Sequence, residues 1–536
     1  MTSRSSRLSR QLQTSESPDG KSAFSSPAMN AALFCVLLGA IDLTVIAAVL
    51  PGMIADLRVN TSDIDRYIWI VSGYLIAYIV AIPLIGRVSD FAGRRFAFLL
   101  AIAVFLVGSI VCALANSLDS LIVGRCIQGF GGGGLLPVAI ALTGDTLPRR
   151  RRLAGIALVS AVDTLGWVIG PVYGALIDSF APGATEHWRW IFWINIPLLL
   201  VAAALVARAF PAPEPGESLR ALRRLDLPGA VFLTGLLVAV NLALSTGGEL
   251  GSQTGSGLRA LGGTTNPLAR YVWLFVVLAV VCVLLLAVTQ RRSASPILPV
   301  TLLRNRTFLF AGISNFVLGV VLMVGMVDVP VVVTLLHTSG SSSSSNVSAA
   351  ILASYTICIM ATSLASARLI RRFGLMIVML GGLVCAGGGL ALLYPLLEGD
   401  HVWRMIPGLV VAGCGLGTLI APLSSAALDE ANEEERGAAA STSLVFRLLG
   451  MTIGISALSS IAVKRLQVLT DRLPPVSQQP NESTAAFLLR QQQFLQDRVI
   501  PLAVQVIQET FLIAAALTLL ALIPVIRIAR TNRSKP

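Results

Sequence analysis

The sequence predicts an all-α integral membrane protein with fourteen transmembrane helices, and three observations support this fold class. Of the 536 residues, 55% are hydrophobic and only 13% are charged, whereas about 25% of the residues in a soluble domain are charged. The mean hydropathy of the whole chain is +0.79, so the apolar residues are not confined to one anchor. Apolar runs of about 20 residues recur along the chain, and each can cross the hydrocarbon core of a bilayer.

The predicted spans form two groups of six with a pair between them. A bundle over 29–208 contains spans near 29–53, 67–85, 96–115, 118–143, 154–178 and 190–208. A linker over 209–306 carries two inserted spans, near 227–246 and 270–289. A second bundle over 307–527 contains spans near 307–336, 347–367, 374–397, 404–427, 438–463 and 500–527. We expect a disordered cytoplasmic tail at 1–28, with no signal peptide, and a short cytoplasmic tail at 528–536.

The basic residues predict that both termini are cytoplasmic. An even number of spans places both termini on one side, and most Lys and Arg fall in the segments that this topology puts inside, including 149–152. The net charge of +12 follows from this asymmetry. No basic surface interleaved with aromatic residues is visible, so the sequence gives no reason to expect a nucleic-acid partner.

Two short loops indicate an internal repeat. The loop after the second span reads Gly-Arg-Val-Ser-Asp-Phe-Ala-Gly-Arg-Arg over 86–95, and the loop after the tenth reads Ala-Arg-Leu-Ile-Arg-Arg-Phe-Gly over 367–374. Superposing Gly93 on Gly374 pairs span two with span ten, which makes the chain two six-helix halves. The second copy lacks the acid, because Asp90 aligns with Arg371.

Cysteine and histidine usage gives no sign of a metal or cofactor. All seven cysteines lie in apolar segments without a CxxC pair, and the three histidines lie in predicted loops. We therefore expect no metal site and no cofactor.

Five ionisable residues lie inside predicted spans, where each costs roughly 2.5 to 3.5 kcal/mol on insertion scales and is a candidate for function. They are Asp42, Arg125, Asp163, Asp328 and Arg447. Asp42 lies near the middle of span one with no charge within a helical turn. Because low polarity favours the neutral acid, Asp42 can take up a proton from one side and release it to the other. The alternative is a hydrogen-bonded structural acid.

Arg125 precedes a glycine run, Gly-Phe-Gly-Gly-Gly-Gly over 129–134, that permits close helix contact. A nucleotide-binding loop is excluded because no strand precedes the run and no Gly-Lys-Ser/Thr follows it. Arg125 keeps its charge, so it either biases a nearby carboxylate toward ionisation or forms a structural ion pair.

Asp163 begins a glycine-lined segment that contains Gly166, Gly170, Pro171 and Gly174. The proline removes a backbone donor, which favours a bend and tight helix packing, and Asp163 and Pro171 could line one cavity. Asp163 is either a second proton site or half of a buried pair with an arginine.

Asp328 and Arg447 belong to the second half. Opposite charges on two spans suggest mutual neutralisation, which we favour over a direct proton role.

Asp90 lies in the predicted cytoplasmic loop with Gly86, Gly93 and Arg94. An acid there can cap a helix N-terminus and release it when the two halves move, so these four residues are gating candidates. The alternative is a solvated loop charge.

These motifs resemble the major facilitator superfamily, specifically its fourteen-helix drug:proton antiporter family. Residues 86–95 resemble the family's loop 2–3 signature, 125–134 its fourth-helix motif, and 166–174 its antiporter motif in helix five. Asp163, Asp328, 421–426 and 447–454 are similar to a bacterial branch associated with triacylglyceride and drug export.

The resemblance implies a proton-coupled antiporter that exports lipophilic or amphiphilic compounds by alternating access from the bacterial plasma membrane. It implies Asp42 and Asp163 as proton carriers, Arg125 as their modulator and Asp90 as part of the cytoplasmic gate. The expected partners are protons, membrane lipids and a lipophilic small molecule or lipid. A lipoprotein partner stays open, because the loop at 398–404 is short for engaging one.

Two other functions make different predictions for the sequence. Proton-coupled uptake of a polar nutrient predicts several polar groups in the cavity, whereas the spans offer few beyond the five charges. A receptor or scaffold without transport leaves the intramembrane acids without a role. An enzyme is not expected, because no cluster of nucleophile, base and orienting residue is present in the sequence.

Overall fold

The structure, a computed structural model, describes residues 26–56, 68–180, 187–211, 226–247, 271–293, 300–336, 341–397, 401–473 and 483–533. Every regular element within these ranges is a helix. The tails predicted at 1–28 and 528–536 fall largely or partly outside the described residues.

The first half contains six helices at the positions of the first six predicted spans. They are α1 (Pro27–Asp56), α2 (Ile68–Ala92), α3 (Arg94–Ala113), α4 (Leu118–Thr146), α5 (Arg149–Phe180) and α6 (Arg189–Ala209). A hydrophobic core built mainly from α1 to α6 holds them together, and it includes Phe98, Phe105 and Leu199, each at most 1% exposed. The same core also takes in a few residues of the second half, such as Leu428 and Leu444.

Eight further long helices follow. The inserted pair is α7 (Leu227–Gly247) and α8 (Val272–Arg292), and the second half is α9 (Arg306–Leu336), α10 (Ser341–Phe373), α11 (Leu375–Leu396), α12 (Met405–Asp429), α13 (Arg436–Thr470) and α14 (Ile500–Leu520). Shorter helical pieces lie at Val300–Arg304, Val402–Arg404, Glu433–Glu435, Thr484–Phe494, Leu495–Val499 and Leu522–Arg533. A helix therefore occupies each predicted span, although the last one is interrupted at Ala521.

Twelve helices in the described part of the chain are long and apolar enough to cross a membrane. The helices α7 and α13 are not among these twelve. The all-helical membrane fold is thus established, whereas fourteen spans and the cytoplasmic position of both termini stay predictions.

The repeat is visible in the backbone. Gly93 has φ 86° and joins α2 to α3, and Gly374 has φ 85° and joins α10 to α11. A positive φ is accessible to glycine but costly for other residues, so the two junctions turn in the same way. The loops predicted after spans two and ten are each a single residue, because residues 86–92 and 367–373 continue the helices α2 and α10. We call the end of the bundle that carries Gly93 and Gly374 the Gly93 end; it is the end predicted to be cytoplasmic.

The inserted pair packs on the outside of the two halves. α7 contacts α8 and also α2 and α13, which belong to different halves. Leu233 and Leu237 of α7 pack with Ile79 and Val80 of α2 and with Leu448 of α13. α8 packs mainly on α7, and its other face is apolar and exposed, with Trp273 at 80% and Leu284 at 61%.

The glycine run of α4 lets neighbouring backbones approach closely. A Cβ at Gly129 would clash with the carbonyl oxygen of Tyr74, one at Gly131 with the backbone of Phe105, and one at Gly133 with the carbonyl oxygen of Tyr78. α2 and α3 therefore press on α4 over a little more than one turn, as is usual where small residues line a membrane-helix contact.

We expect Gly129→Ala to destabilise the fold, because the obstructing atom is backbone and cannot rotate away. Overpacking of this kind costs about 1–3 kcal/mol. Gly381→Ala is the matched control, since its Cβ would meet no atom within 4 Å. Thermal unfolding of the purified protein should show a lower Tm for Gly129→Ala only; equal Tm values would mean that the α2–α4 contact adjusts at little cost.

Candidate functional site

Asp42 lies inside the first half and is only 1% exposed. Its Oδ2 accepts a hydrogen bond from Arg125 Nη1 at 2.9 Å, and its Oδ1 accepts from Gln128 Nε2 at 2.9 Å and from Asn195 Nδ2 at 2.8 Å. α4 and α6 thus supply three donors to the carboxylate of α1. The guanidinium of Arg125 also lies 3.9 Å from the centre of the Tyr74 ring, which adds a cation–π contact.

This network neutralises Asp42 without the second half. All its described partners belong to the first half, and a buried ion pair with its lone pairs satisfied is costly to break, by about 3–5 kcal/mol when one partner is removed. The geometry therefore favours the structural alternative for Asp42 over proton carriage. Gln128 and Asn195 were not foreseen as partners, because helix rotation decides which polar side chains meet.

Asp163 lies between the two halves. It lines a small cavity together with residues of α5, α9, α10, α12 and α13, and the lining residues are Ser160, Asp163, Thr164, Trp167, Leu322, Met326, Thr356, Ile359, Ile420 and Arg447. The cavity volume is about 10 Å³, room for about one water molecule. The halves are therefore nearly closed on each other at this level.

Arg447 shares this cavity with Asp163, and the two side chains are 8% and 9% exposed. Their charges attract each other electrostatically, but they form no direct ion pair among the described contacts. The mutual neutralisation of Asp328 and Arg447 that the sequence suggested is not found. Asp328 instead accepts a hydrogen bond from Thr510 Oγ1 at 2.7 Å. The acid that shares a cavity with Arg447 is Asp163.

The glycines after Asp163 bring α5 against α1. A Cβ at Gly166 would meet Ala40, and one at Gly170 would meet the Thr44 hydroxyl. Residues 160, 163, 164 and 167 recur at helical spacing on the neighbouring face, which lines the cavity. Gly174 and Pro171 lie further along the same helix, and the Pro171 side chain is outside the described set.

Asp90 joins the two halves at the Gly93 end. Its Oδ1 accepts from the backbone N–H of Gly437 at 2.7 Å, and its Oδ2 accepts from the N–H of Ala438 at 2.9 Å. These are free amides of the first turn of α13, so Asp90 caps a helix of the other half. Arg94 Nη1 donates to Asp90 Oδ1 at 2.9 Å, and Gly86 leaves room for Ser441 against α2.

Two further ion pairs cross between the halves at the same end. Asp145, at the end of α4, accepts from Arg436 Nη1 of α13 at 3.2 Å and from Arg94 Nε at 2.8 Å. Asp429, at the end of α12, accepts from Arg152 Nη1 of α5 at 2.6 Å. Under the eight-helix offset, α4 and α5 correspond to α12 and α13. The two bridges therefore repeat one arrangement with the halves exchanged.

These bridges were missed in the sequence, although a signal was present. Applying the offset beyond the loop motif aligns the acid at the end of α4 with the acid at the end of α12, and the basic starts of α5 and α13 with each other. The repeat thus predicts both bridges between the halves. It does so although the loop acid Asp90 of the first half is replaced by Arg371 in the second.

The fold and these contacts define a polytopic membrane transporter built of two halves around a central cavity. A family model of the Major Facilitator Superfamily matches residues 32–455, and the chain belongs to that family. It is a multi-pass cell-membrane transporter and not an enzyme.

Similarity to individual proteins agrees with this assignment. The chain is 32% identical over 501 residues to a triacylglyceride transporter of Mycolicibacterium hassiacum, with 91% of this chain and 89% of that protein covered. It is 26% identical over 469 residues to the multidrug transporter protein MdtP of Bacillus subtilis, with 86% and 79% covered. The crystal structure of the human organic anion transporter MFSD10 superposes with a TM-score of 0.60 at 15% identity, with 93% of this chain and 99% of that chain covered.

We expect the Arg152–Asp429 bridge to hold the halves together at the Gly93 end. Arg152→Asp or Asp429→Arg alone places like charges together, and the double charge swap restores the pair. The readout is labelling of Ser363→Cys by a membrane-impermeant maleimide, because Ser363 is fully buried where α10 meets Ala157 of α5. Each single change should raise the labelling rate about fivefold, which corresponds to about 1 kcal/mol.

The same protein without the Ser363→Cys change gives the background labelling of the native cysteines. Arg465→Glu is the matched control, since it breaks the pair with Glu509 inside the second half. Equal labelling of the single changes and the swap would show that the bridge contributes nothing to closure.

Proposed function

We propose that the chain is a proton-coupled antiporter that exports lipophilic or amphiphilic compounds by alternating access. The observation that carries the proposal is the buried pair Asp163 and Arg447 at the interface between the halves, in a cavity otherwise lined largely by apolar side chains. Membership of the Major Facilitator Superfamily supports transport, and the resemblance of 166–174 to the antiporter motif supports exchange and its outward direction.

The contacts at the Gly93 end give alternating access a physical basis. Entry of a substrate from that end requires α2, α4 and α5 to part from α12 and α13. Parting removes the Asp90 cap and both crossing bridges, which together form the gate in this proposal. Each contact is modest, because a helix cap contributes about 0.5–2 kcal/mol and a partly exposed pair about 0–1 kcal/mol. The closed state is therefore stable but reversible.

Asp163 is the proton carrier in this proposal. Among the described residues that line the cavity it is the one acid, and protonation removes its charge from a site of low polarity. Arg447 keeps its positive charge. The pair is therefore neutral when Asp163 is ionised and carries one net positive charge when Asp163 is protonated. Closing a cavity without net charge away from water costs less free energy than closing a charged one. This difference couples protonation of Asp163 to the movement of the halves.

The cargo is lipophilic in this proposal because the cavity offers apolar walls from Leu322, Met326, Ile359 and Ile420. Relatives named triacylglyceride transporter and multidrug transporter support the same class. Uptake of a polar nutrient is the alternative, and the hydroxyls of Ser160, Thr164 and Thr356 are the uncharged lining groups that could replace part of the hydration shell of such a substrate.

The test is transport by the purified protein in liposomes with an imposed pH gradient, assayed with a labelled neutral lipid and, separately, with a lipophilic cation dye. We expect the gradient to drive movement in the wild type and Asp163→Asn to abolish the dependence on the gradient. Asp42→Asn separates the two candidate carriers. If Asp42 is structural, this change lowers Tm and the amount of folded protein, but the folded fraction keeps its dependence on the gradient.

Asp119→Asn is the matched control, because Asp119 is exposed at the start of α4. Movement of substrate without a gradient in the wild type would leave a facilitator and end the antiport proposal. Loss of coupling in folded Asp42→Asn but not in Asp163→Asn would return the carrier role to Asp42.

A further inference from the structure

Arg87 is a buried cation at the Gly93 end whose donors are largely unused. It lies near the end of α2, directly after Gly86, and is only 5% exposed. Its Nε and Nη1 atoms are buried without a hydrogen-bond partner in the described structure. A buried charged group with unmade hydrogen bonds raises the free energy of the state that contains it. The closed arrangement of the two halves therefore holds Arg87 at a cost.

The acid beside Arg87 is Asp90, one turn further along α2. Arg87 Nη1 lies 3.7 Å from Asp90 Oδ2, which is too long for a hydrogen bond. The carboxylate is turned toward α13, because Oδ1 accepts from the Gly437 amide and Oδ2 accepts from the Ala438 amide. The guanidinium carbon of Arg87 lies 4.4 Å from the centre of the Phe91 ring, so a cation–π contact holds it beside the carboxylate.

We propose that Arg87 is the second partner of Asp90, and that the carboxylate exchanges the α13 amides for Arg87 when the halves part. The two residues are three apart on one helix, so they stay neighbours when α13 moves away. A shortening of about 1 Å brings the pair to the length of a charge-assisted hydrogen bond. Arg87 thereby replaces the lost cap and lowers the free energy needed to open the gate. This inference rests on the proposed function, because the gate is part of it.

Two other roles for Arg87 make different predictions. A bound anion would lie beside the ionised Asp90, which repels it, so the resident carboxylate is the better partner for the unused donors. A purely structural arginine predicts that its loss lowers Tm and leaves the gate no tighter. The exchange predicts a tighter gate, because loss of Arg87 removes an unsatisfied charge from the closed state and a partner of Asp90 from the open state.

The second half lacks the same pair. Under the eight-helix offset, Arg87 aligns with Arg368, which is exposed, and Asp90 aligns with Arg371. An arginine at the position of the acid leaves Arg368 without the carboxylate that the exchange needs. Arg368 therefore supplies the matched control.

The test measures opening of the gate without substrate or a pH gradient, by labelling of Ser363→Cys with a membrane-impermeant maleimide. Every protein also carries Asp429→Arg, because the broken bridge raises the labelling rate enough for a decrease to be measured. We expect Arg87→Met and Arg87→Gln to lower this rate about threefold to fivefold, since the open state loses the pair with Asp90. Arg87→Lys keeps the charge and should leave the rate unchanged, as should Arg368→Met.

A double-mutant cycle shows whether the effect passes through Asp90. In the Asp90→Asn protein the amide offers Arg87 no ion pair, so adding Arg87→Met should change the labelling rate by less than about twofold. Thermal unfolding of each protein verifies that it is folded. Arg87→Gln keeps more of the polar character of arginine, so it serves where Arg87→Met does not fold.

Several outcomes would overturn the exchange. They are unchanged or faster labelling in both Arg87→Met and Arg87→Gln, equal slowing by Arg87→Lys and Arg87→Met, undiminished slowing in the Asp90→Asn protein, and no labelling of any protein. Failure of the antiport proposal is a separate result, because substrate transport that ignores the pH gradient leaves these labelling rates as they are.

Discussion

The arrangement of the two halves depends on the capping of α13 by Asp90. The first amides of a helix have no partner within the helix, and they carry a partial positive charge. A carboxylate from the other half supplies both acceptors at 2.7 and 2.9 Å. Arg94 holds that carboxylate in place and also reaches Asp145, which in turn reaches Arg436. One cap is thereby extended into a chain of alternating charges, from Asp90 through Arg94 and Asp145 to Arg436, that leaves the second half at the α13 amides and returns to it at Arg436. The Arg152–Asp429 bridge repeats part of this arrangement with the halves exchanged.

The buried charges divide into two kinds by what surrounds them. The Asp42 group is complete within one half, with three donors to one carboxylate, and nothing in it changes when the halves move as rigid units. The Asp163 and Arg447 pair is shared by the halves, and each member lacks a direct bond. A charge that is fully satisfied stabilises one structure, whereas a charge that is partly satisfied can respond to a proton, a ligand or a movement. Two buried acids of the same type are thus suited to different tasks.

Much of this fold could be predicted from the sequence, and the limits of prediction have a physical cause. Apolar run length gave a helix at every expected position, and the spacing from Gly86 to Arg94 gave the capping role of Asp90, because both depend on local chemistry. The partners of Arg447 and Asp42 depend on helix rotation and on which helices are neighbours. The expected contact of Asp328 with Arg447 was wrong for this reason, since Thr510 lies closer to Asp328. Gln128 and Asn195 went unrecognised for the same reason, although Gln128 lies in the motif at 125–134.

The helix α7 packs on α2 and on α13 at once. In the alternating access proposed above, α2 and α13 part at the Gly93 end, so α7 would keep its contact with one half and shift over the other. Leu233, Leu237 and Leu448 belong to one apolar cluster at this contact, and apolar contacts are not directional. In that proposal the inserted pair acts as a sliding seal along the seam between α2 and α13, and it obstructs the approach of a membrane-dissolved molecule from that side.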